Sequence, residues 1–401
     1  MKTRIAIVVN SFPVLSETFI FNKVKGLVKE GFDITVITHS TKNNLPSYQD
    51  QWDDVKEIKI LNAFTSRDVF NFRLHVKMVS KLGTFFAVCR AINKLGNWKA
   101  RVRTYFQWLT ISDGYDIIHF EYSGLAVSYL DLISIGIKSK IMVSCRGAAE
   151  QIRPLFDQKR ATDLKILFEK ADRVHCVSDD MLNTCVTHYQ LDRKKAFVNR
   201  PAIQLDRFKR INPRSIMHNQ PVVICSTGRL HWKKGFEFAL LAMYELKAQG
   251  ISFRYEIIGG GIELEKLVFM ANDLGIADQV HFIGKLSSAE VKARLESCDI
   301  FLLPSLSEGI SNAVLEAMAM QIPVVSTTAG GMDELIADME TGLLADTYDA
   351  KELVNKLKLL IENDALREKI GQNGHSIILK NFAIERQLAI FVREYNNILN
   401  V

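Results

Sequence analysis

The sequence predicts an α/β protein made of two doubly wound, Rossmann-like domains, on three observations. The chain has 401 residues, more than the ~250–300 over which a single core grows. Its first forty residues alternate an apolar run, an amphipathic stretch and a second apolar run, as a βαβ unit with both sheet faces covered requires. After a polar stretch at residues 204–220 the same alternation starts again.

Residues 5–9 (IAIVV) read as the first strand, residues 17–30 as the returning helix ended by Gly31, and residues 32–38 as the second strand. Residues 58–61 suit a third strand, and residues 66–109 read mainly as helix. Strands are expected at 116–120, 141–145, 173–177 and 197–199. One helix is expected at 163–170 and another after Ser178, a good N-cap. Pro213 and neighbouring charges mark 204–220 as the linker. Beyond it, strands at 222–226, 252–258, 280–282, 300–303, 323–326 and 342–344 alternate with helices at 235–248, 263–274, 288–297 and 312–320. From Asp349 the chain reads as helix in at least three pieces. The expected domains are 1–204 and 205–380, with a last helix, 381–401, packing back on the first. Such sheets bind ligands beyond the C-terminal ends of their strands, so two of them facing one another would enclose a cleft.

With 48% hydrophobic and 24% charged residues, the composition is that of a folded globular protein rather than a disordered one. The net charge of +6 is unevenly spread: from Ser66 to Leu109 there are nine Lys or Arg and one acid, Asp68. Phe70, Phe72, Phe85, Phe86, Trp98, Tyr105 and Trp108 are interleaved with these cations. The region bounded by Arg67 and Trp108 therefore suits an anionic membrane surface, the alternative being packed helices with solvated charges. No nucleic-acid-binding module is recognisable, so no nucleic-acid partner is expected. Six cysteines without a CxxC pair suggest free thiols in a reducing compartment rather than a metal site. The apolar start is interrupted by Asn10 and Pro13, which fits a buried strand better than a signal peptide. No uncharged apolar window approaches ~18 residues. The expected location is the cytoplasm, with peripheral attachment to the inner face of the cytoplasmic membrane as a further expectation.

The most informative stretch runs Pro304-Ser-Leu-Ser-Glu-Gly-Ile-Ser-Asn-Ala-Val-Leu-Glu316. A strand ends, a loop carries Ser307, Glu308 and Gly309, and a helix starts near Ser311 or Asn312. Gly309 allows close approach of a ligand to the backbone, and the amides of Ile310, Ser311 and Asn312 are free for an anion or a sugar oxygen. Glu308 and Glu316 would contact opposite ends of one ligand. Local chemistry leaves helix capping open for Glu308 and a solvent-facing position open for Glu316. Upstream, Gly228-Arg-Leu-His-Trp-Lys-Lys-Gly235 follows a strand and offers Arg229 and Lys234 as fixed cations, or as ordinary surface charges. Gly259-Gly260-Gly261 is a glycine turn of a kind common after strands in α/β folds.

These motifs, in this order, resemble the retaining glycosyltransferases of the GT-B fold, the large group 1 family marked by a Glu, seven residues and a second Glu. The resemblance covers residues 222–344 well. It implies that Glu308 lies beside the transferred sugar, that Glu316 holds the nucleotide ribose, and that Arg229 and Lys234 hold the donor diphosphate. It also implies that the backbone of Gly309, Ile310, Ser311 and Asn312 meets the sugar and that Gly260 lies near the nucleotide. The stretch Ser11-Phe-Pro-Val-Leu-Ser-Glu-Thr-Phe-Ile20 resembles the exopolysaccharide, colanic-acid-like and lipopolysaccharide subgroup. Where many relatives have a glycine-rich loop, this chain has Ser16, Glu17 and Thr18. Ser16 and Glu17 then either face the donor diphosphate or the acceptor, or simply cap the helix.

Asp116-Ile-Ile-His-Phe-Glu121 stands where many relatives have His-x-His. His119 matches the first position and Glu121 replaces the second, so both are candidate catalytic residues. Glu121 would be a general base or a ligand for acceptor hydroxyls, and His119 a sugar contact or a locally hydrogen-bonded strand residue. Arg146, at the end of the strand 141–145, is a candidate for an acceptor phosphate or for the donor. The implied activity moves a hexose from a UDP- or GDP-sugar to a glycan or lipid-linked saccharide, with retention. No cofactor and no metal is implied, since Arg and Lys take the metal's place. A sugar phosphorylase, an epimerase or a non-enzymatic glycan-binding protein on the same fold are the alternatives.

Overall fold

The computed structural model describes residues 2–14, 17–40, 58–65, 88–210 and 220–400. Two compact units result. Met1–Val177, Met181–Asn199 and Leu388–Val401 make up the first, Ser178–Asp180 and Arg200–Gln387 the second. Apart from the short segment Ser178–Asp180, the chain crosses at 199/200 and 387/388, against 204/205 and 380/381 read from the sequence.

Each unit is an α/β fold on one parallel sheet. In the first, β1 (Arg4–Ser11), β2 (Asp33–Ser40), β3 (Lys59–Asn62), β4 (Ile117–Phe120), β5 (Lys140–Cys145), β6 (Arg173–Cys176) and β7 (Ala196–Val198) lie in the order β3-β2-β1-β4-β5-β6-β7. In the second, β8 (Val222–Thr227), β9 (Phe253–Ile258), β10 (Val280–Gly284), β11 (Ile300–Leu303), β12 (Val324–Thr327) and β13 (Leu343–Ala345) lie in the order β10-β9-β8-β11-β12-β13. The direction of strand addition reverses between β1 and β4 and again between β8 and β11. At such a reversal the connections leave on opposite faces and open a crevice at the strands' C-terminal ends.

The unbroken apolar run of β1 has a direct cause. Ile5, Ile7 and Val9 pack into the core on one face, Ala6 and Val8 into the core on the other. Helix α1 (Thr18–Lys29) supplies Ile20, Phe21, Val24 and Leu27 to the first of these layers. The opposite layer takes Leu109 and Ile111 from α2 (Trp98–Ile111) and Leu164, Leu167 and Phe168 from α3 (Gln158–Lys170). Helix α3 starts earlier than the expected 163 because Asp157 caps it, accepting from the Arg160 amide. In the second unit α4 (Phe236–Ala248) and α5 (Asn312–Ala319) cover opposite sheet faces. The last helix, α6 (Ile384–Leu399), delivers Phe391 and Tyr395 to the α1 layer.

Two short helices, Ser123–Ser128 and Leu130–Ile135, occupy a region the sequence reading left unassigned. Ser16, residues 66–87 of the basic stretch and residues 211–219 of the expected linker lie outside the described residues. Among the described residues no helix is long and apolar enough to cross a membrane.

Candidate functional site

Three connections interlock at the reversal in the second sheet. The loop after β8 ends at Gly235, which has φ +60 and so a conformation that favours glycine. A Cβ there would collide with the Pro304 carbonyl oxygen. The Lys233 carbonyl accepts from the amides of Leu306 (2.7 Å) and Ser307 (3.4 Å), tying the β8 loop to the β11 loop. The third connection, after β12, was missed by sequence reasoning. Gly330 leaves no room for a Cβ against the Glu308 carbonyl, and the Gly331 amide donates to the Gly309 carbonyl at 3.0 Å. Two adjacent glycines after a strand, Gly330-Gly331, were the available signal. Gly235→Ala is expected to cost roughly 1–3 kcal/mol through combined clash and φ strain. Urea unfolding measures it, and an unchanged midpoint would show that the β8 loop yields freely.

The glycine turn after β9 has a packing reason that its sequence does not show. A Cβ on Gly259 or Gly261 would strike the carbonyl of Gly228 or Leu230, and the Leu230 amide donates to the Gly260 carbonyl at 3.2 Å. The turn is glycine-rich because the β8 loop lies directly against it. Gly260 itself faces the flexible Lys285 side chain.

Within this frame Lys234 donates to Glu308 Oε1, and the Ser305 hydroxyl donates to the same oxygen at 2.8 Å. The two side chains remain partly exposed, at 21% and 13%. Arg229 is exposed on the same loop, and Lys233, not singled out from the sequence, is pulled down in pKa by burial against the opposing effect of Glu308. Glu316, on α5, is half-buried, and desolvation pushes its carboxyl up to about 7 despite the pull of Arg207. Asn312, the first residue of α5, holds a buried Oδ1 with no hydrogen-bond partner among the described residues. Ser311 occupies the N-cap without a side-chain cap, and Ile310 turns its side chain into the core beneath. The second unit therefore gathers Arg229, Lys234, Glu308, Gly309, Asn312 and Glu316 around one sheet reversal.

In the first unit the candidates sit differently. His119, in β4, and Glu121, just past it, are both 0% exposed. Neither offers surface to a substrate in this conformation, where the sequence left open a sugar contact or a locally hydrogen-bonded strand residue for His119 and a general base or acceptor ligand for Glu121. The physical reason is a buried partner that no local pattern announces, Lys23 of α1, which is 2% exposed. It donates to Glu121 Oε1 and lies 3.2 Å from His119 Nδ1. Arg146 grips Glu121 twice, Nη2 to Oε2 at 2.6 Å and Nε to the backbone carbonyl at 3.0 Å. Burial alone would raise the Glu121 carboxyl, but the surrounding charges, Lys23 foremost, hold it well below the usual carboxylate range. Burial pulls Lys23 down to about 8, with Glu121 opposing.

The histidine tautomers follow from the partners. His175 Nε2 faces the Asn199 carbonyl at 2.8 Å and so carries the proton there. Its Nδ1 then accepts from Ser144 (2.8 Å), whose oxygen accepts from His119 Nε2 (2.8 Å). That leaves His119 Nδ1 to accept from the Tyr395 hydroxyl, 2.7 Å away, with the Lys23 ammonium 3.2 Å from the same nitrogen. Both rings are neutral: burial drives His119 well below its ordinary value and His175 to about 3. Glu17 stands at the N-cap of α1 without capping it through its side chain, and engages the Tyr122 hydroxyl instead.

Folding also brings together Cys145, Cys176 and Cys185, whose sulfurs lie within 4.8 Å of one another in the core. Cys145 and Cys176 are register partners on β5 and β6. Burial raises the Cys145 thiol far above its ordinary value, as expected for neutral, apolar core thiols.

Comparison with known proteins adds to this geometry. The family model described as glycosyl transferases group 1 matches residues 208–376, and one described as glycosyltransferase family 4 matches residues 16–207. The chain is 30% identical over 376 residues to the colanic acid biosynthesis glycosyltransferase WcaL of Escherichia coli, covering 88% of this chain and 89% of that one. It is 28% identical to the amylovoran biosynthesis glycosyltransferase AmsK of Erwinia amylovora, again over 88% and 89%. Among solved structures, sucrose-phosphate synthase from Thermosynechococcus elongatus superposes with a TM-score of 0.74 over 100% of both chains at 17% identity. Anabaena HepE in complex with UDP superposes with a TM-score of 0.72 over 99% and 100% at 15% identity.

Proposed function

The chain belongs to the group 1 glycosyltransferases, and on that premise we propose that it moves a hexose from a UDP- or GDP-sugar to a saccharide hydroxyl, with retention at the anomeric carbon. The acceptor is a glycan or lipid-linked saccharide in bacterial surface polysaccharide synthesis, in keeping with relatives named for colanic acid and amylovoran biosynthesis. The observation that carries the donor assignment is the Lys234–Glu308 pair at the reversal of the second sheet.

In this reading the donor diphosphate takes Arg229 and Lys234, which do the work a metal would otherwise do. Charge grows on the leaving phosphate as the glycosidic bond breaks, and fixed cations stabilise it more in the transition state than in the bound donor. Lys234 then releases Glu308 to accept from the sugar hydroxyls. Attack comes from the face the phosphate leaves, and that phosphate helps take the acceptor's proton. Glu316 accepts from the ribose hydroxyls. His119 and Glu121 act by positioning Lys23 and Arg146 rather than by touching the sugar. The experiment is incubation with UDP- and GDP-sugars: nucleoside diphosphate should accumulate only with acceptor present, and the product should keep the donor's anomeric configuration by NMR. Release of isomerised sugar nucleotide, or inversion, would overturn the reading.

Glu316 supplies a pH test. Ribose hydroxyls donate to the ionised carboxylate, so binding favours the deprotonated form. Below the raised value of about 7 the group must lose a proton to bind; above it, no proton is released. Affinity for a nucleoside diphosphate sugar should be about tenfold weaker at pH 6 than at pH 8, with proton release seen by calorimetry in buffers of different ionisation enthalpy. Glu316→Gln should flatten the profile, and an equally steep profile in that variant would remove Glu316 from the ribose site.

A further inference from the structure

The two sheet reversals carry the same kind of pair in different states. Lys234, after β8, meets Glu308, after β11, and both reach solvent. Lys23, after β1, meets Glu121, after β4, and both are sealed at 2% and 0%. The strands concerned are equivalent: β8 and β11 flank one reversal, β1 and β4 the other. Of the three charged groups in the first cluster only Arg146 reaches solvent, at 15%.

Arg146 is held like a receptor for an anion. Its Nε and Nη2 are fixed on Glu121, and its plane lies over the Phe19 ring, 4.4 Å from the centroid. Nη1 has no acceptor among the described residues. Lys23 and Arg146 are positive, Glu121 is negative, and His119 and His175 are neutral, so these five side chains sum to one positive charge, and Arg146 is the member that reaches solvent. Glu17, an acid at the start of α1, acts on Tyr122 together with Arg146 and so belongs to the same charge balance. A guanidinium fixed in place, with one edge open to solvent, matches phosphate oxygens better than neutral sugar hydroxyls.

We propose that Arg146, oriented by the buried Lys23–Glu121 pair, is the receptor for a phosphate group carried by the acceptor, an anion site additional to the donor cations Arg229 and Lys234. The proposal rests on the transferase reading for the word acceptor, but the anion site can be tested without it. The probe is inorganic pyrophosphate on the full chain. In the Arg229→Gln/Lys234→Gln variant, which lacks the donor cations, pyrophosphate should still bind by calorimetry. Adding Arg146→Gln should weaken it at least tenfold, and adding Arg146→Lys should weaken it less. In the otherwise unsubstituted chain, Arg146→Gln should leave UDP and GDP affinity within about twofold.

Phenylglyoxal labelling of the unsubstituted protein, mapped by peptide mass spectrometry, asks the same question without any substitution: pyrophosphate should protect Arg146 at least tenfold when UDP or GDP already occupies the second unit. Equal labelling with and without pyrophosphate overturns the proposal. So does a tenfold loss of UDP or GDP affinity in Arg146→Gln, which would give Arg146 to the donor's diphosphate. Failure of UDP and GDP to bind the unsubstituted chain would strike the donor reading instead, with the pyrophosphate result at Arg146 still decisive for this site.

Discussion

Glu308→Gln and Lys234→Gln are expected to move nucleotide affinity in opposite directions while both depress turnover. In the unliganded second unit the two side chains neutralise one another, with the Ser305 hydroxyl completing the bonds to Glu308 Oε1. A diphosphate bound as proposed would compete with Glu308 for the Lys234 ammonium. Glutamine at 308 removes that competitor, so UDP or GDP should bind several-fold more tightly. On the proposed reading it also removes the carboxylate that accepts from the sugar and faces the developing positive charge, and turnover should fall by about 10²–10³-fold. Glutamine at 234 removes the cation itself, so affinity falls together with turnover. Neither change buries a new charge, since both groups keep contact with water, and thermal unfolding should stay within a few degrees of the unsubstituted chain. Calorimetry with UDP and GDP beside steady-state transfer rates gives the result. If both variants weakened the nucleotide, Glu308 would be a nucleotide ligand and not the sugar's partner.

What could be read from the sequence depended on how far apart the interacting residues are. β1 was legible because five adjacent apolar residues feed two core layers at once. Glu308, Glu316 and the Arg229–Lys234 loop were legible because a strand end, a loop and a helix start place them within a few residues of one another. Lys23 was not, because on α1 it reads as one more polar residue of an amphipathic helix. Only the meeting with Glu121, far along the chain, makes it a buried ion. The same distance hid the reason for Gly259 and Gly261, whose missing side chains make room for Gly228 and Leu230. It hid the thiol cluster too: Cys145 and Cys176 look unrelated until β5 and β6 align in register. His119 and Glu121 were singled out as candidate catalytic residues at a strand end, with a locally hydrogen-bonded strand residue as the alternative for His119. Their buried partners were not legible, because a single strand does not reveal what packs above it.

That packing makes Lys23→Met the substitution expected to harm stability most. Methionine fills a similar volume and keeps the apolar contact with Phe391, over which the ammonium lies at 4.1 Å. What it removes is the counter-charge. Glu121 would keep Arg146, but its second oxygen would lose its donor at a position closed to solvent, and His119 Nδ1 would keep only the Tyr395 hydroxyl. Stripping one partner from a buried pair costs about 3–5 kcal/mol, a fall in Tm on the order of 10 °C for a unit of this size. Much of that cost is the stranded carboxylate rather than the lost attraction. The double variant Lys23→Met/Glu121→Gln, which strands no charge, should therefore recover at least half of it, and the cycle of single and double variants measures the coupling. Differential scanning calorimetry reads all three. A single variant that melts with the parent would mean that Arg146 alone satisfies Glu121. A double variant no more stable than Lys23→Met would mean that the lysine contributes through packing, and that the buried charge is not what orients Arg146.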